Sequence, residues 1–400
     1  MQKFDYVIVG AGLAGASAVK GVREEDQEGS ILLVGEEEEF PYNRPPLSKD
    51  LLLGDKTVGE ISIEDEAYFT EHEVELELGT EITEIDPDNN LVTNSRGESY
   101  EYEKLLLSTG GSPRKLDIPG GQLEGANYYR YLDDYRSLSE GMKSANRAVV
   151  IGGGFIGSEI TAGLNLNDIE VSMVFPEDYL LERVFPKELA AVVQRDYEDR
   201  GVNVVAGDKP VRFRKESDGF EVKTDQGKIL QGDLLIVGIG ISPEDDLAKG
   251  AELKVFDGIE VDKYLQTSDT DIYAAGDNAY FPFTDLGEST RVEHWDNAKS
   301  QGKLAGRNMA GAEEAYNYVP YFFSDLFDFG FEAVGEVNSN LNNFVDWKKK
   351  GEKGVGYYLS GDGKVKGVLL LGVWGAKGDA RDLIKSEESF TREELVGKIG

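Results

Sequence analysis

Cysteine is absent from this 400-residue chain. That removes structural disulfides, thiolate-held metal or iron–sulfur centres, and any redox disulfide within the chain. Histidine is almost absent as well, with only His72 and His294. The most apolar stretch, Gly367 to Ala376, falls far short of the ~20 residues needed to cross a bilayer. Basic side chains are in deficit, 42 against 76 acidic ones, giving a net charge of −34. A chain this acidic is a poor nucleic-acid binder, because phosphate contact depends on Lys and Arg. It also repels itself at low salt. At ~1 M salt the Debye length falls to ~3 Å and that repulsion is largely screened. The composition therefore fits a halophilic protein of a salt-rich cytosol or a merely acidic mesophilic one, and the residues leave both open. A first strand that begins by Phe4 leaves no room for a leader, so the expected compartment is the cytoplasm.

What is present is glycine, 48 residues of it, in a chain that is 40% hydrophobic. That balance and length predict a loop-rich globular protein of two or three domains. Tyr6 to Val9 is an apolar run that feeds Gly10-Ala-Gly12-Leu13-Ala14-Gly15, and Ala16 to Val22 then reads as helix. A strand, a Gly-x-Gly-x-x-Gly turn and a helix are the context of a dinucleotide fingerprint. Gly10 allows the tight turn, Gly12 lets backbone approach a pyrophosphate, and Gly15 lets the helix pack on its strand. The helix's free N–H groups and positive dipole end then face the phosphates. These glycines do not say which dinucleotide binds. Ser30 to Val34 is a second strand, with Glu36 and Glu37 beyond it. A carboxylate at about that distance accepts hydrogen bonds from a ribose. A solvated acidic run, Glu36 to Glu39, is the plainer alternative.

The pattern then recurs. Ala148 to Ile151 leads into Gly152-Gly-Gly154-Phe155-Ile156-Gly157, and Glu170 to Phe175 follows, with Glu177 and Arg183 after it. Two complete fingerprints imply two dinucleotide sites. A carboxylate there favours an unmodified ribose, whereas an arginine accommodates an extra phosphate. Here Phe175 ends the strand and the acid comes two residues later, as Glu177, with Arg183 nearby, so the residues alone leave both nucleotides open. Between the fingerprints, Val74 to Tyr102 reads as a β-insertion of short strands. Lys187 to Arg200 reads as a helix stopped by Gly201. Ile272 to Ala275 is a short strand whose Gly276 lets the next carboxylate, Asp277, reach a polyhydroxyl chain or cap the helix that follows. Phe327, Phe329 and Phe331 read as core, and His72 as solvated.

The string Pro41-Tyr-Asn-Arg44-Pro-Pro-Leu-Ser-Lys49 and the segment Thr267 to Asp277 carry a resemblance that covers essentially the whole chain. It resembles the FAD-dependent pyridine nucleotide oxidoreductases of ferredoxin and rubredoxin reductase type, the group that also holds apoptosis-inducing factor. The resemblance implies an α/β fold with two Rossmann-like domains, glutathione-reductase-like, and a small α+β C-terminal domain. Residues 1–117 and 246–318 would bind FAD, 118–245 NAD, and 319–400 would form the last domain. Against FAD it places Gly10, Gly12, Leu13, Ala14, Gly15, Glu36, Glu37, Arg44, Lys49, Ile82, Thr109, Gly110 and Arg130. It adds Asp277 on the ribityl chain, Glu293, His294 and Trp295 near the ring, and Phe323 where a Trp often stacks beside the flavin. Against NAD it places Gly152, Gly154, Phe155, Ile156, Gly157, Glu159, Glu177, Arg183, Gly240 and Glu332. Through Glu177 it implies NADH, with NADPH the lesser choice. Lys49, Glu159 and Phe323 are expected to converge as the catalytic set, with Lys49 paired to Glu159; no metal is expected.

Without a cysteine pair, electrons must leave the flavin directly, toward a ferredoxin- or rubredoxin-like protein or a small-molecule acceptor. An NADH oxidase or quinone reductase, or a slow NADH-sensing flavoprotein acting through a partner, are the other roles the resemblance allows. Lys348 to Lys350 is the one obvious basic patch for an acidic partner. A monomer or homodimer is expected.

Overall fold

The fold was obtained as a computed structural model, which describes residues 1–217, 219–283, 288–386 and 388–400. The chain divides into two compact units, each built from three stretches. One holds residues 1–43, 58–112 and 242–320, and the other holds 44–57, 113–241 and 321–400.

In the first unit, Gln2–Val9 lies at the centre of a mostly parallel sheet. Ile31–Val34 flanks it on one side, followed by Val74–Glu77, and Ser99–Leu107 flanks it on the other. Tyr6 to Val9 and Ile31 to Val34 are buried on both faces, as continuous apolar runs in parallel sheets are. Ser99–Leu107 also takes Ile272–Ala274 as a parallel neighbour and Leu91–Asn94 as an antiparallel one, with Ile82–Asp86 beyond. The stretch read as a β-insertion therefore extends the main sheet. Alternating patterns of that kind specify a strand but not its partner.

Two helices cover this sheet, Leu13–Glu25 and Trp295–Met309. Their backbones touch. A Cβ added at Gly302 would lie 2.1 Å from the Ala14 carbonyl oxygen, one at Gly306 2.1 Å from that of Ala18, and one at Gly21 2.0 Å from that of Lys303. The second of these helices begins at Trp295, so Glu293 and His294 precede it, His294 as its N-cap. His72 is half-buried against Tyr68, with ring centroids 4.0 Å apart, and is not the solvated histidine expected.

The second unit repeats the plan. Arg147–Ile151 lies between Glu170–Val174 and Leu234–Val237, with Asn203–Val205 and Ala126–Tyr128 at the edges, all parallel. Helix Phe155–Leu166 follows the second fingerprint, and Lys187–Asp199 is the helix expected there. Pro210–Glu216, Gly219–Thr224 and Ile229–Gly232 make a small antiparallel sheet. The C-terminal stretch is a five-stranded antiparallel sheet that opens with Tyr321–Leu326 and Phe329–Gly335. Phe331 is fully buried. Phe327 and Phe329 are only half-buried, because Phe327 lies in the turn between those two strands and Phe329 directly follows it.

Residues 44–57 belong to this unit through several ties. The Tyr129 hydroxyl donates to the Leu47 carbonyl at 2.6 Å, and Asn167 Nδ2 to the Leu52 carbonyl at 3.3 Å. The paired prolines open a 3-10 turn, Pro45–Ser48, followed by a single helical turn, Asp50–Leu53. A fixed proline φ suits such a start.

Candidate functional site

The two fingerprints fold into nearly the same backbone. Gly10 has φ +110° and Gly152 φ +117°, values that favour glycine. A Cβ on Gly10 would lie 2.2 Å from the Ser108 carbonyl oxygen, and one on Gly152 2.2 Å from that of Gly238. The third glycines sit on the first. Cβ atoms on Gly15 and Gly157 would approach the Gly10 and Gly152 carbonyl oxygens to 2.1 and 2.0 Å. The middle glycines differ, since a Cβ on Gly12 or Gly154 meets nothing within 4 Å. Each is the N-cap of its helix, at φ −87° and −83°. Each turn thus holds an open space before a helix N-terminus, which is what a pyrophosphate needs.

Around the first cradle, Leu13 and Ala14 begin the helix. Glu37 accepts the Tyr42 hydroxyl at 2.6 Å. Partial burial, more than the neighbouring Glu81, Glu244 and Glu37, holds the Glu36 carboxyl above its ordinary range. Ile82 is buried at the sheet edge. Thr109 Oγ1 donates to the Glu244 carbonyl at 2.6 Å and accepts from Asn278 Nδ2 at 2.9 Å. Gly110 takes φ +71°. Asp277 follows the strand end at Gly276, φ +96°, and its carbonyl accepts from Arg291, which also pairs with Glu293 at 2.6 Å. Asn278 Oδ1 and Gln301 Nε2, both buried, have no hydrogen-bond partner among the described residues. Buried polar atoms ordinarily have one, so this cradle fits a polar cofactor. His294 retains some accessible surface, yet the density around its ring pushes it down to about 4, against a weaker opposing effect of Asp277. The imidazole is therefore neutral at pH 7. Trp295 Nε1 donates to Asn43 Oδ1 at 2.7 Å.

In the second unit the expected set is assembled. Lys49 Nζ lies 3.2 Å from Glu159 Oε1, with side chains only 12% and 7% exposed. The ammonium also sits 4.5 Å from the centroid of the Phe323 ring and 3.4 Å from the Phe323 carbonyl oxygen. Two residues not foreseen from the sequence complete it. Ser324 donates to Glu159 Oε1 and Ser48 to Oε2. No local signal in the sequence marks either serine. Phe323 itself is 39% exposed. Arg44 lies 5.1 Å from the Tyr131 ring centroid and donates to the Arg130 carbonyl at 3.0 Å. Arg130 is half-buried.

Phe155 packs edge-on to Phe322 at 5.1 Å, while Ile156 is exposed. Glu177 pairs with Arg183 at 2.6 Å; Arg183 is 80% exposed and Glu177 22%. Gly240 has φ +92° and open space around it. Glu332 stands opposite Phe323 in the strand register. Its Oε1 pairs with Lys377 at 2.8 Å, whereas its buried Oε2 has no partner among the described residues. Such an acceptor fits an amide donor. The basic patch at 348–350 is partly neutralised, since Lys348 pairs with Asp346 at 3.1 Å and Lys349 with Glu352. Among the described residues no helix is long and apolar enough to cross a membrane.

Comparison with known proteins follows this geometry. The family model described as Pyridine nucleotide-disulphide oxidoreductase matches residues 4–302. Apoptosis-inducing factor 1, mitochondrial, of Dictyostelium discoideum is 36% identical over 420 residues, covering 96% of this chain and 79% of that one. The ferredoxin--NAD(+) reductase component of the anthranilate 1,2-dioxygenase system of Burkholderia cepacia is 33% identical over 389 residues, covering 96% and 95%. Among solved structures, the covalent putidaredoxin reductase–putidaredoxin complex matches with a TM-score of 0.92 at 30% identity, covering 99% of this chain and 96% of that one.

Proposed function

Because the chain belongs to the pyridine nucleotide-disulphide oxidoreductase family, whose members bind a flavin and NAD(P)H, we propose that it is an FAD-dependent NADH oxidoreductase. It delivers electrons to a small ferredoxin- or rubredoxin-like protein. The observation that carries this reading is a pair of matching dinucleotide cradles in a chain without cysteine. The disulfide in the family's description cannot be the electron route here. The reductase component at 33% identity and the reductase–partner complex at TM-score 0.92 support a protein acceptor.

Bound FAD would supply the redox centre, accepting hydride from NADH and passing electrons on. The chain's own residues hold and orient. On this reading residues 1–117 and 246–318 hold FAD, 118–245 hold NADH, and 319–400 bring Phe323 and Glu332. Gly12 and Gly154 receive the two pyrophosphates, Glu36 a ribose and Asp277 the ribityl chain. Glu177 accepts from the nicotinamide nucleotide's ribose, which favours NADH over NADPH. Lys49 and Arg44 stabilise developing negative charge, and Glu159 keeps the Lys49 ammonium in place, since a buried cation needs its partner. Neutral His294 serves as a hydrogen-bonding group and not as a cation. The protein is assigned to the cytoplasm as a monomer or homodimer, with no nucleic-acid or membrane partner.

The 36% identity to apoptosis-inducing factor 1 favours a second reading, a slow NADH-bound flavoprotein that acts through a partner. Anaerobic titration of the FAD-loaded protein with NADH and with NADPH in high KCl, followed by acceptor, separates them. Prompt bleaching by NADH and rapid return of the yellow colour with an iron–sulfur protein supports the reductase. A long-lived reduced complex that no acceptor discharges supports the second reading. A protein that takes up no FAD refutes both.

A further inference from the structure

We propose that Ser48 and Ser324 are positioning residues for the Lys49–Glu159 pair, locking the carboxylate so that the ammonium has one place to stand. The inference rests on the function proposed above.

Its ground is the geometry of Glu159. The side chain is 7% exposed, and Ser48 and Ser324 are 4% and 1% exposed. A carboxylate has two oxygens and can turn about its last bond. Here Oε2 is taken by Ser48 and Oε1 is shared by Ser324 and Lys49. Hydroxyl donors to an ionised acceptor are among the stronger hydrogen bonds. With both oxygens held, rotation cannot carry the negative charge away from Lys49. The three donors arrive from two separate parts of the unit, Ser48 and Lys49 from the turn Pro45–Ser48 and its C-cap, and Ser324 from the strand Tyr321–Leu326. The carboxylates that flank Lys49 and Ser324 in the sequence do not draw the ammonium away, and Tyr197 does not compete as a donor to Glu159. Asp50 pairs with Lys56 at 2.6 Å and Asp325 is exposed. Burial keeps the Tyr197 hydroxyl far above its ordinary range, and it donates to the Ser158 carbonyl at 3.0 Å. Removing the Ser48 hydroxyl leaves the buried Oε2 unsatisfied, and removing that of Ser324 leaves Lys49 alone on Oε1; either change frees the carboxylate to turn, loosening Lys49.

The test uses the full chain in high KCl. Acetylation of lysines by N-hydroxysuccinimidyl acetate, quantified by peptide mass spectrometry, reads the freedom of Lys49 whether or not FAD is bound. Ser48→Ala and Ser324→Ala should each raise Lys49 labelling several-fold, with Lys56 as an internal control that does not change. Ser→Thr, which keeps the hydroxyl, should restore slow labelling. Ser→Cys, of similar size with a weak donor, should not. On the loaded protein, the NADH half-reaction should slow about tenfold or more in the Ala and Cys variants at unchanged NADH affinity. Unchanged Lys49 labelling in both Ala variants, or equal labelling in the Thr and Cys variants, overturns the positioning role whatever the flavin does. A wild-type chain whose flavin NADH does not reduce overturns the proposed function, even where the labelling pattern is as expected.

Discussion

The two cradles make a prediction that separates ligand space from fold space. Gly12 and Gly15 are three residues apart in one turn, yet an added methyl group meets opposite surroundings. At Gly15 the Cβ would sit 2.1 Å from the Gly10 carbonyl oxygen, and that neighbour is backbone, so the helix must move off its strand. Overpacking of this kind costs about 1–3 kcal/mol, or roughly 2–4 °C in Tm per kcal/mol for a unit of this size. At Gly12 the Cβ meets nothing within 4 Å, and φ −87°, ψ −163° is open to any residue. Gly12→Ala should leave the cofactor-free protein as stable as wild type, or more stable by about 0.4–1 kcal/mol through reduced unfolded-state entropy. The same methyl occupies the space assigned to the FAD pyrophosphate. If it costs about 1–3 kcal/mol of packing there, FAD affinity falls about five- to 150-fold. Thermal melts of the cofactor-free variants and a flavin fluorescence-quenching titration measure the two effects. A Gly12→Ala protein that melts as early as Gly15→Ala, or that binds FAD like wild type, would refute the reasoning. Gly154→Ala should behave the same way toward NADH, with FAD binding untouched.

Other consequences are open to direct measurement. Arg183→Ala removes a largely exposed partner of Glu177, so stability should barely move; NADPH-dependent turnover should fall relative to NADH, and a rise would reverse the assignment of Glu177. His294 is held near 4 in the folded chain against an ordinary 6.5. Unfolding therefore takes up a proton between those values, and stability is lost as pH drops from about 6.5 toward 4, by up to about 3 kcal/mol. The stability of wild type relative to His294→Asn should fall as pH drops from about 6.5 toward 4 and stay level above 6.5; parallel curves would contradict the burial argument. With a net charge of −34, Tm should climb as KCl is raised toward ~1 M, and a falling Tm would exclude the halophilic reading.

How far the sequence was legible depends on how local each constraint is. Gly10, Gly15, Gly152 and Gly157 are fixed by contacts within one turn or with the adjoining strand end, so their spacing alone announced both cradles. Tyr6 to Val9 and Ile31 to Val34, buried on two faces, were equally plain. The placement of Ile82–Asp86 and Leu91–Asn94 in the main sheet was not, because strand partners are chosen across the fold. The helix Leu132–Met142 leaves no such trace, since only Leu132 and Leu138 in it are buried, too few to show a period. Ser48 and Ser324 lie 276 positions apart in the numbering of the chain, and nothing local to either tells of the shared carboxylate. Their function appears only once Glu159 has a surrounding.

The threading of the chain has a consequence for its synthesis. Each unit draws on three stretches, and the first unit lacks the last strand of its main sheet until residue 274, and its second covering helix until residue 309, has been made. At ~5–20 residues per second that is roughly 15–60 s of translation. The glycine-lined crossing of the two helices, in which one backbone seats on the other, has no second half for most of that time. The emerging sheet keeps an apolar face uncovered, and an N-terminal fragment cut before residue 295 inherits the same defect. Truncated chains should therefore be recovered as aggregates, and the full-length protein should depend on holdase chaperones more than a chain whose domains are completed one after another.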